Sequence, residues 1–345
     1  MRNNLKSVLA LALAVSTFFG AVPVSASESN RALQTLERIV PGILKETNAA
    51  GRLRVVELTR DSGVGSVRLA SKGAIEGQSI SLIIDYAKSQ RGTKQGLVVL
   101  DAEDPSVSAV AQEMGNGFRV LTTIASKPVT NRYSYSFDVS SSARLLENSN
   151  GYLVVDGSTV LGSLDEPWAI DADGNRVKTH YEWSNSVLTQ VIDEGLEKIS
   201  YPLVLDPAWG YVFQYDLSFS PATNMSRLKT CFNCYFPVSG APKNYPKPGQ
   251  LLPLSVGIFN FECRMASTVE TPSYGSFQFN ATANHVDGYG SNIIFQFMKI
   301  GGRNYLVVDA YIVNSLDLIR APYLASAGLN WQVFAWNLNS PTPRT

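Results

Sequence analysis

A chain of 345 residues, 45% hydrophobic and 17% charged, is long enough for two or three domains and globular rather than disordered in composition. Lys plus Arg and Asp plus Glu both count 29, so no global field draws in nucleic acid, and none is expected as a partner. The 3 cysteines are too few for a small disulfide-framework fold.

Arg2 and Lys6 form a basic start, residues 8–15 an apolar stretch, and Val24-Ser25-Ala26 a small-residue cleavage site. This pattern predicts a signal peptide over residues 1–26, cleaved near Ala26. The alternative is an uncleaved anchor over residues 7–22, but a spanning helix takes about 20 apolar residues, and Ser16, Thr17 and Gly20 interrupt this run. No later segment matches that length. The expectation is a secreted, extracellular protein with no transmembrane segment after signal cleavage.

Beyond the signal, Leu33, Leu36 and Val40 keep helical spacing until Pro41 intervenes, and Ile43 and Leu44 resume it; Asn30 is a plausible cap. Residues 53–58, 67–70 and 97–100 read as strands, residues 80–89 fit either type, and residues 105–114 read as a short helix with Pro105 in its first turn. Residues 27–130 are thus expected to form a small α+β region. From Arg132 the pattern turns to period two through Tyr133, Tyr135, Phe137 and Val139. Turn signals then recur at Asn150-Gly151, Asp156-Gly157, Asp173-Gly174 and Glu194-Gly195, which favour tight hairpins. Residues 131–209 are predicted as a β-meander, closed by Pro207, which cannot donate to a continuing ladder.

Within that meander, Pro167-Trp168-Ala169, Asp171-Ala172-Asp173-Gly174, Thr179-His180-Tyr181 and Tyr201-Pro202-Leu203-Val204-Leu205-Asp206-Pro207 carry a resemblance. The stretch resembles a module of uncharacterised secreted proteins of actinobacteria, where it lies between an export signal and a variable C-terminal region. The resemblance covers about residues 131–209 and implies a bacterial origin and a delivery, spacer or folding role, with no activity attached.

Residues 210–345 are again strand-rich. Tyr211, Phe213, Tyr215 and Leu217 alternate, as do Phe277 and Phe279, Ile293, Phe295 and Phe297, and Tyr305, Val307 and Tyr311, with Gly301-Gly302 as a hairpin signal. A proline-rich connection through Pro237, Pro242, Pro246, Pro248 and Pro253 predicts a stiff crossover between sheets. The fold class expected is therefore mainly β: a smaller α+β N-terminal region, the meander, and a C-terminal β-sandwich whose core takes Trp331, Phe334 and Trp336.

Candidate chemistry concentrates in the last third. Cys231, Cys234, Cys263 and His285 supply ligand types that zinc accepts, but the second pair lacks the short spacing of recognisable zinc sites. A redox pair at Cys231-x-x-Cys234 lacks a surrounding βαβ pattern. The favoured arrangement is a disulfide from Cys263 to Cys231 or Cys234, worth about 3–4 kcal/mol in the chain-entropy model. His285, Asp287 and Ser291 are the catalytic candidates, set against a hydrogen-bonded turn leading into the next strand. Asp61-Ser62-Gly63 lacks the second glycine and the preceding histidine of a chymotrypsin-like segment. Asp171-x-Asp173-x-Asn175 with Glu182 partly fits a calcium loop but has Arg176 where the turn calls for glycine. No motif calls for a cofactor. The functional expectation is a non-enzymatic extracellular binding protein with a cell-wall, glycan or protein ligand; the alternative is a secreted hydrolase or antagonistic toxin centred on His285 and Asp287.

Overall fold

The computed structural model describes residues 24–47, 51–59, 65–72, 78–94, 96–256, 259–313 and 320–342; the part of the expected signal peptide before Val24 and Asp61-Ser62-Gly63 lie outside them. Strand makes up 52% and helix 16%, so the protein is mainly β. The chain opens with α1 (Val24–Ile39), then β1 (Leu53–Thr59), β2 (Gly65–Lys72), β3 (Ser79–Ile84), β4 (Ala87–Lys94), β5 (Leu97–Ala102), β6 (Val107–Met114) and β7 (Gly117–Ile124). There follow β8 (Arg132–Phe137), β9 (Arg144–Asn148), β10 (Gly151–Asp156), β11 (Thr159–Asp165), β12 (Trp168–Ile170), β13 (Thr179–Ser184), β14 (Val187–Ile192), β15 (Leu203–Asp206) and β16 (Ala208–Gly210).

These strands make two antiparallel sheets. One has the order β1-β2-β3-β8-β14-β13; the other runs β4-β5-β6-β7-β16-β11-β10-β9, with β15 pairing β7 and β12 pairing β15. They share one core: Val67, Leu69, Leu82 and Tyr135 of the first sheet are buried with Leu100, Ala109, Val120 and Leu164 of the second. Helix α1 lays Leu33, Leu36 and Ile39 over Val99, Val110 and Leu121. With β7 covered on both faces, every residue of this strand is buried, so its sequence reads as a run rather than an alternation.

Two sequence expectations change here. Residues 107–114 form strand β6 rather than a helix, because pairing with β5 and β7 across a buried sheet overrides the helix signal of Pro105. The switch to period two at Arg132 marks no break between sheets either, since β8 pairs with β3 and β15 with β7.

The last third supplies β17 (Val212–Leu217), α2 (Pro221–Thr230), α3 (Phe232–Tyr235), β18 (Leu251–Val256), β19 (Phe259–Glu270), β20 (Tyr274–Ala281), β21 (Asn292–Ile300), β22 (Arg303–Tyr311) and α4 (Arg320–Asn339). Ser220 caps α2 by accepting from the Thr223 backbone N–H at 3.2 Å, and Pro221 occupies the first turn, where its missing N–H costs nothing. All the strands join one antiparallel sheet of order β17-β22-β21-β20-β19-β18. Period two sorts its faces: Phe277, Phe279, Phe295, Phe297, Leu306 and Val308 pack with α2, α3 and α4. Met298, Ile300, Tyr305 and Val307 pack instead against Leu153, Val155 and Val160 of β10 and β11.

The expected C-terminal β-sandwich is therefore corrected to a single sheet with helices on one face, its other face packing on β10 and β11 of the sandwich formed between β1 and β16. Trp331 and Phe334 belong to α4, not to a strand, and Trp336 is 56% exposed. The proline-rich segment joins α3 to the edge strand β18 of this same sheet. No helix among the described residues is long and apolar enough to cross a membrane.

Candidate functional site

Between the C-terminal sheet and α4 lies a cavity of about 90 Å³. Phe213 of β17, Phe236 after α3, Phe279 of β20, Phe295 of β21 and Trp331 of α4 give it an aromatic wall. These rings support one another edge to face: Phe236 to Phe295 at 5.5 Å and Phe295 to Trp331 at 4.8 Å between centroids. Strand alternation places the sheet's rings on this face, and helical spacing brings Ala327 and Trp331 of α4 over them.

Aliphatic side chains such as Val238, Leu254, Ile293 and Ile312 complete the apolar lining, and a few polar groups interrupt it. His285, Asp287 and Ser291 line the cavity together with Cys263 and, from α4, Asn330. The turns after β20 position the first three: His285 N–H donates to Thr282 O, Gly288 N–H to His285 O and Ser291 N–H to Gly288 O. Gly288 and Gly290 take φ of 85° and 98°, a region that side chains disfavour, which explains the glycines of this segment.

The catalytic candidates thus converge, but their hydrogen bonds are those of a folded turn. The Asp287 backbone N–H donates to His285 Nδ1 at 3.0 Å, and the Asp287 carboxylate lies 3.6 Å from the same nitrogen, too far for a hydrogen bond. Ser291 Oγ donates to Asp287 O at 2.6 Å and accepts from Val313 N–H at 2.8 Å, so its proton is already committed to the backbone. Burial lowers the His285 pKa, with Asp287 partly opposing, which favours the neutral ring. Burial, reinforced by Asp287 and Glu262, pushes the Cys263 thiol up to about 12.

The expected disulfide is corrected. Cys231 and Cys234 bond to each other across a Cα–Cα distance of 5.3 Å, and Cys263 is a buried free thiol of β19. The short α3 turns the chain so that residues three apart meet, whereas Cys263 faces the cavity. With both sulfurs of the pair joined, the four-ligand set of Cys231, Cys234, Cys263 and His285 is not assembled, and no metal-competent cluster of His, Cys, Asp or Glu occurs among the described residues.

Other candidates fall elsewhere. Asp171 accepts backbone N–H bonds from Asp173 at 3.0 Å and Asn175 at 2.8 Å, while Glu182 lies on β13 and pairs with Arg132; the two carboxylates do not form one loop site. Elsewhere, Asp101 pairs with Arg91 and the Asp104 carboxylate accepts from the Ser106 backbone N–H at 2.8 Å. Asp165 and Glu166 line a second, polar hollow of about 370 Å³ against Asp309. Asn330 and Phe236 were not singled out from sequence; a helical period through Trp331, Phe334, Ala335 and Leu338 was the available signal for α4.

No family model matches the chain, and no curated protein matches it. Among solved structures, the protein MLL2253 from Mesorhizobium loti is 15% identical, with 37% of this chain and 92% of that one covered at a TM-score of 0.29. The Aha1 dimer from Colwellia psychrerythraea is 14% identical over 37% of this chain and 91% of that one, at 0.27. The di-domain ARO/CYC BexL of the BE-7585A biosynthetic pathway is 8% identical over 91% and 96%, at 0.28. At such scores these likenesses fix neither fold nor activity for this chain.

Proposed function

We propose that this is an exported binding protein for a small apolar molecule, held between the C-terminal sheet and α4. The observation that supports it is the cavity whose wall is built from Phe213, Phe236, Phe279, Phe295 and Trp331. Pockets of this make, apolar with a few placed polar groups, are where small ligands bind. At about 90 Å³ it is smaller than the ~150 Å³ apolar cavity that takes benzene in another protein, so the occupant has a single ring and seats by a small outward shift of the half-buried Trp331. Export rests on the residue 1–26 signal. Cleavage after Ala26 trims only the first turn of α1 and leaves Leu33, Leu36 and Ile39 on the core.

The hydrolase alternative finds less support in the same geometry. Ser291, the candidate nucleophile, is tied to the backbone and not activated by His285, and the Cys263 thiol, pushed up to about 12, is protonated at neutral pH. Toluene is the direct probe. It should raise the melting temperature of the wild type, and Ala327→Phe, which inserts a ring from α4 into the same space, should abolish the rise. An unchanged melting temperature in saturated toluene would remove the proposal.

A further inference from the structure

We infer that the ligand carries a neutral hydrogen-bond acceptor, a carbonyl or ether oxygen on a single ring, which His285 Nε2 and the Asn330 amide receive at the polar part of the cavity. This rests on the binding reading above and names the chemistry of its ligand.

The inference comes from an imbalance of donors. His285 Nδ1 accepts the Asp287 N–H, which places the proton of the neutral ring on Nε2. Among the described residues no hydrogen bond to Nε2 occurs, and the His285 side chain, which lines the cavity, keeps 10% of its exposure. Asn330 Nδ2 is buried without an acceptor, on the helix that forms the cavity's other wall. A buried polar group lacking its partner is costly, so a cavity that holds unused donors is completed by an acceptor brought from outside.

The acceptor is neutral because of its neighbours. Asp287 lines the same cavity, Glu262 lies close enough to raise the Cys263 thiol, and among the described residues no Lys or Arg lines the cavity, so a carboxylate would enter beside acidic groups. The aromatic rings supply the rest of the contact surface without distinguishing one ring from another.

Toluene, acetophenone and benzoate, similar in ring size but different in head group, separate the possibilities by calorimetric titration. Acetophenone should bind about three- to tenfold more tightly than toluene, the range of one net hydrogen bond, and benzoate more weakly than acetophenone. His285→Phe should erase the acetophenone advantage while toluene still binds. Because His285 also holds its own turn, Asn330→Leu serves as the second variant: it removes a donor that bonds to nothing in the protein, so it should fold normally and lose part of the advantage. Equal binding of toluene and acetophenone to the wild type, an advantage that survives in both variants, or tighter binding of benzoate would each overturn the inference while leaving the binding reading intact. Failure of all three probes would defeat the binding reading itself.

Discussion

Arg119 sits on β7 with its side chain 5% exposed, and its Nε lies 2.8 Å from Asp206 Oδ2, a carboxylate only 1% exposed. Two charges this deep are costly to desolvate, and the pair is tolerable because each neutralises the other. The Asp206 backbone oxygen is also held, by the Tyr181 hydroxyl at 3.1 Å, so the carboxylate cannot swing out to water without disturbing β13. Arg119→Met should therefore cost about 3–5 kcal/mol in urea unfolding at pH 7, with most of it recovered in the double variant Arg119→Met/Asp206→Leu. The surface pair Arg132–Glu182, 47% and 48% exposed, is the internal contrast: solvent screens it, so its removal should change stability far less than Arg119→Met does. A single-variant loss at Arg119 as small as that of the surface pair would show that the buried carboxylate finds other compensation.

At the scale of elements, α4 is held by one face. Phe334 is fully buried and meets Phe236 at 5.3 Å and Phe295 at 5.7 Å, with Ala335 and Leu338 beside it. Phe334→Ala should cost about 3–5 kcal/mol, seen as a lower urea midpoint, because the ring's neighbours are fixed to a sheet and cannot collapse into the gap. The same helix shows where sequence stops being informative. The strands around it were legible, since Phe277 and Phe279, Ile293 to Phe297, and Tyr305 to Tyr311 alternate as β20, β21 and β22, and Gly301-Gly302 makes their hairpin. Residues 321–343 contain no charged side chain, so no polar face marks the helical period, and the two-residue spacing of Phe334 and Trp336 imitates a strand. The site was half legible for a related reason. His285, Asp287 and Ser291 announce themselves by type and proximity, whereas Asn330 and Phe236 reach the cavity only because α4 and the segment after α3 pack over the sheet. The cysteine pairing failed because spacing cannot say that α3 brings Cys231 and Cys234 together while Cys263 points away along β19.

The whole molecule depends on how the C-terminal sheet meets the sandwich. Val212, Met298, Ile300, Tyr305 and Val307 pack on Leu153, Val155 and Val160, and the seam is stitched by Gln78 Nε2 donating to Val212 O at 2.7 Å, the Tyr211 hydroxyl to Ser71 O at 2.8 Å and Val160 N–H to Gln214 Oε1 at 2.8 Å. At its edge, Asp309 of β22 enters the polar hollow of about 370 Å³ opposite β11, where, among the described residues, Asp165 and Glu166 are the other charged groups and no Lys, Arg or His lines the space. Burial, and then the charge of Asp165, raises Asp309 to about 7, with a hydrogen bond from Ser163 partly opposing. An unfolded aspartate titrates near 3.9, so between about pH 4 and pH 7 the folded protein holds a proton that the unfolded chain releases. The stability this proton confers is complete below about pH 4 and is lost as pH rises through about 7, with a slope of at most about 1.4 kcal/mol per pH unit. Asp309→Asn keeps the shape and removes the ionisation. Urea midpoints at pH 5, 6, 7 and 8 should show the variant gaining on the wild type as pH rises and levelling off above about 7. A constant difference between the two proteins across that range would mean that Asp309 is ionised throughout, and that the seam between sheet and sandwich tolerates its charge.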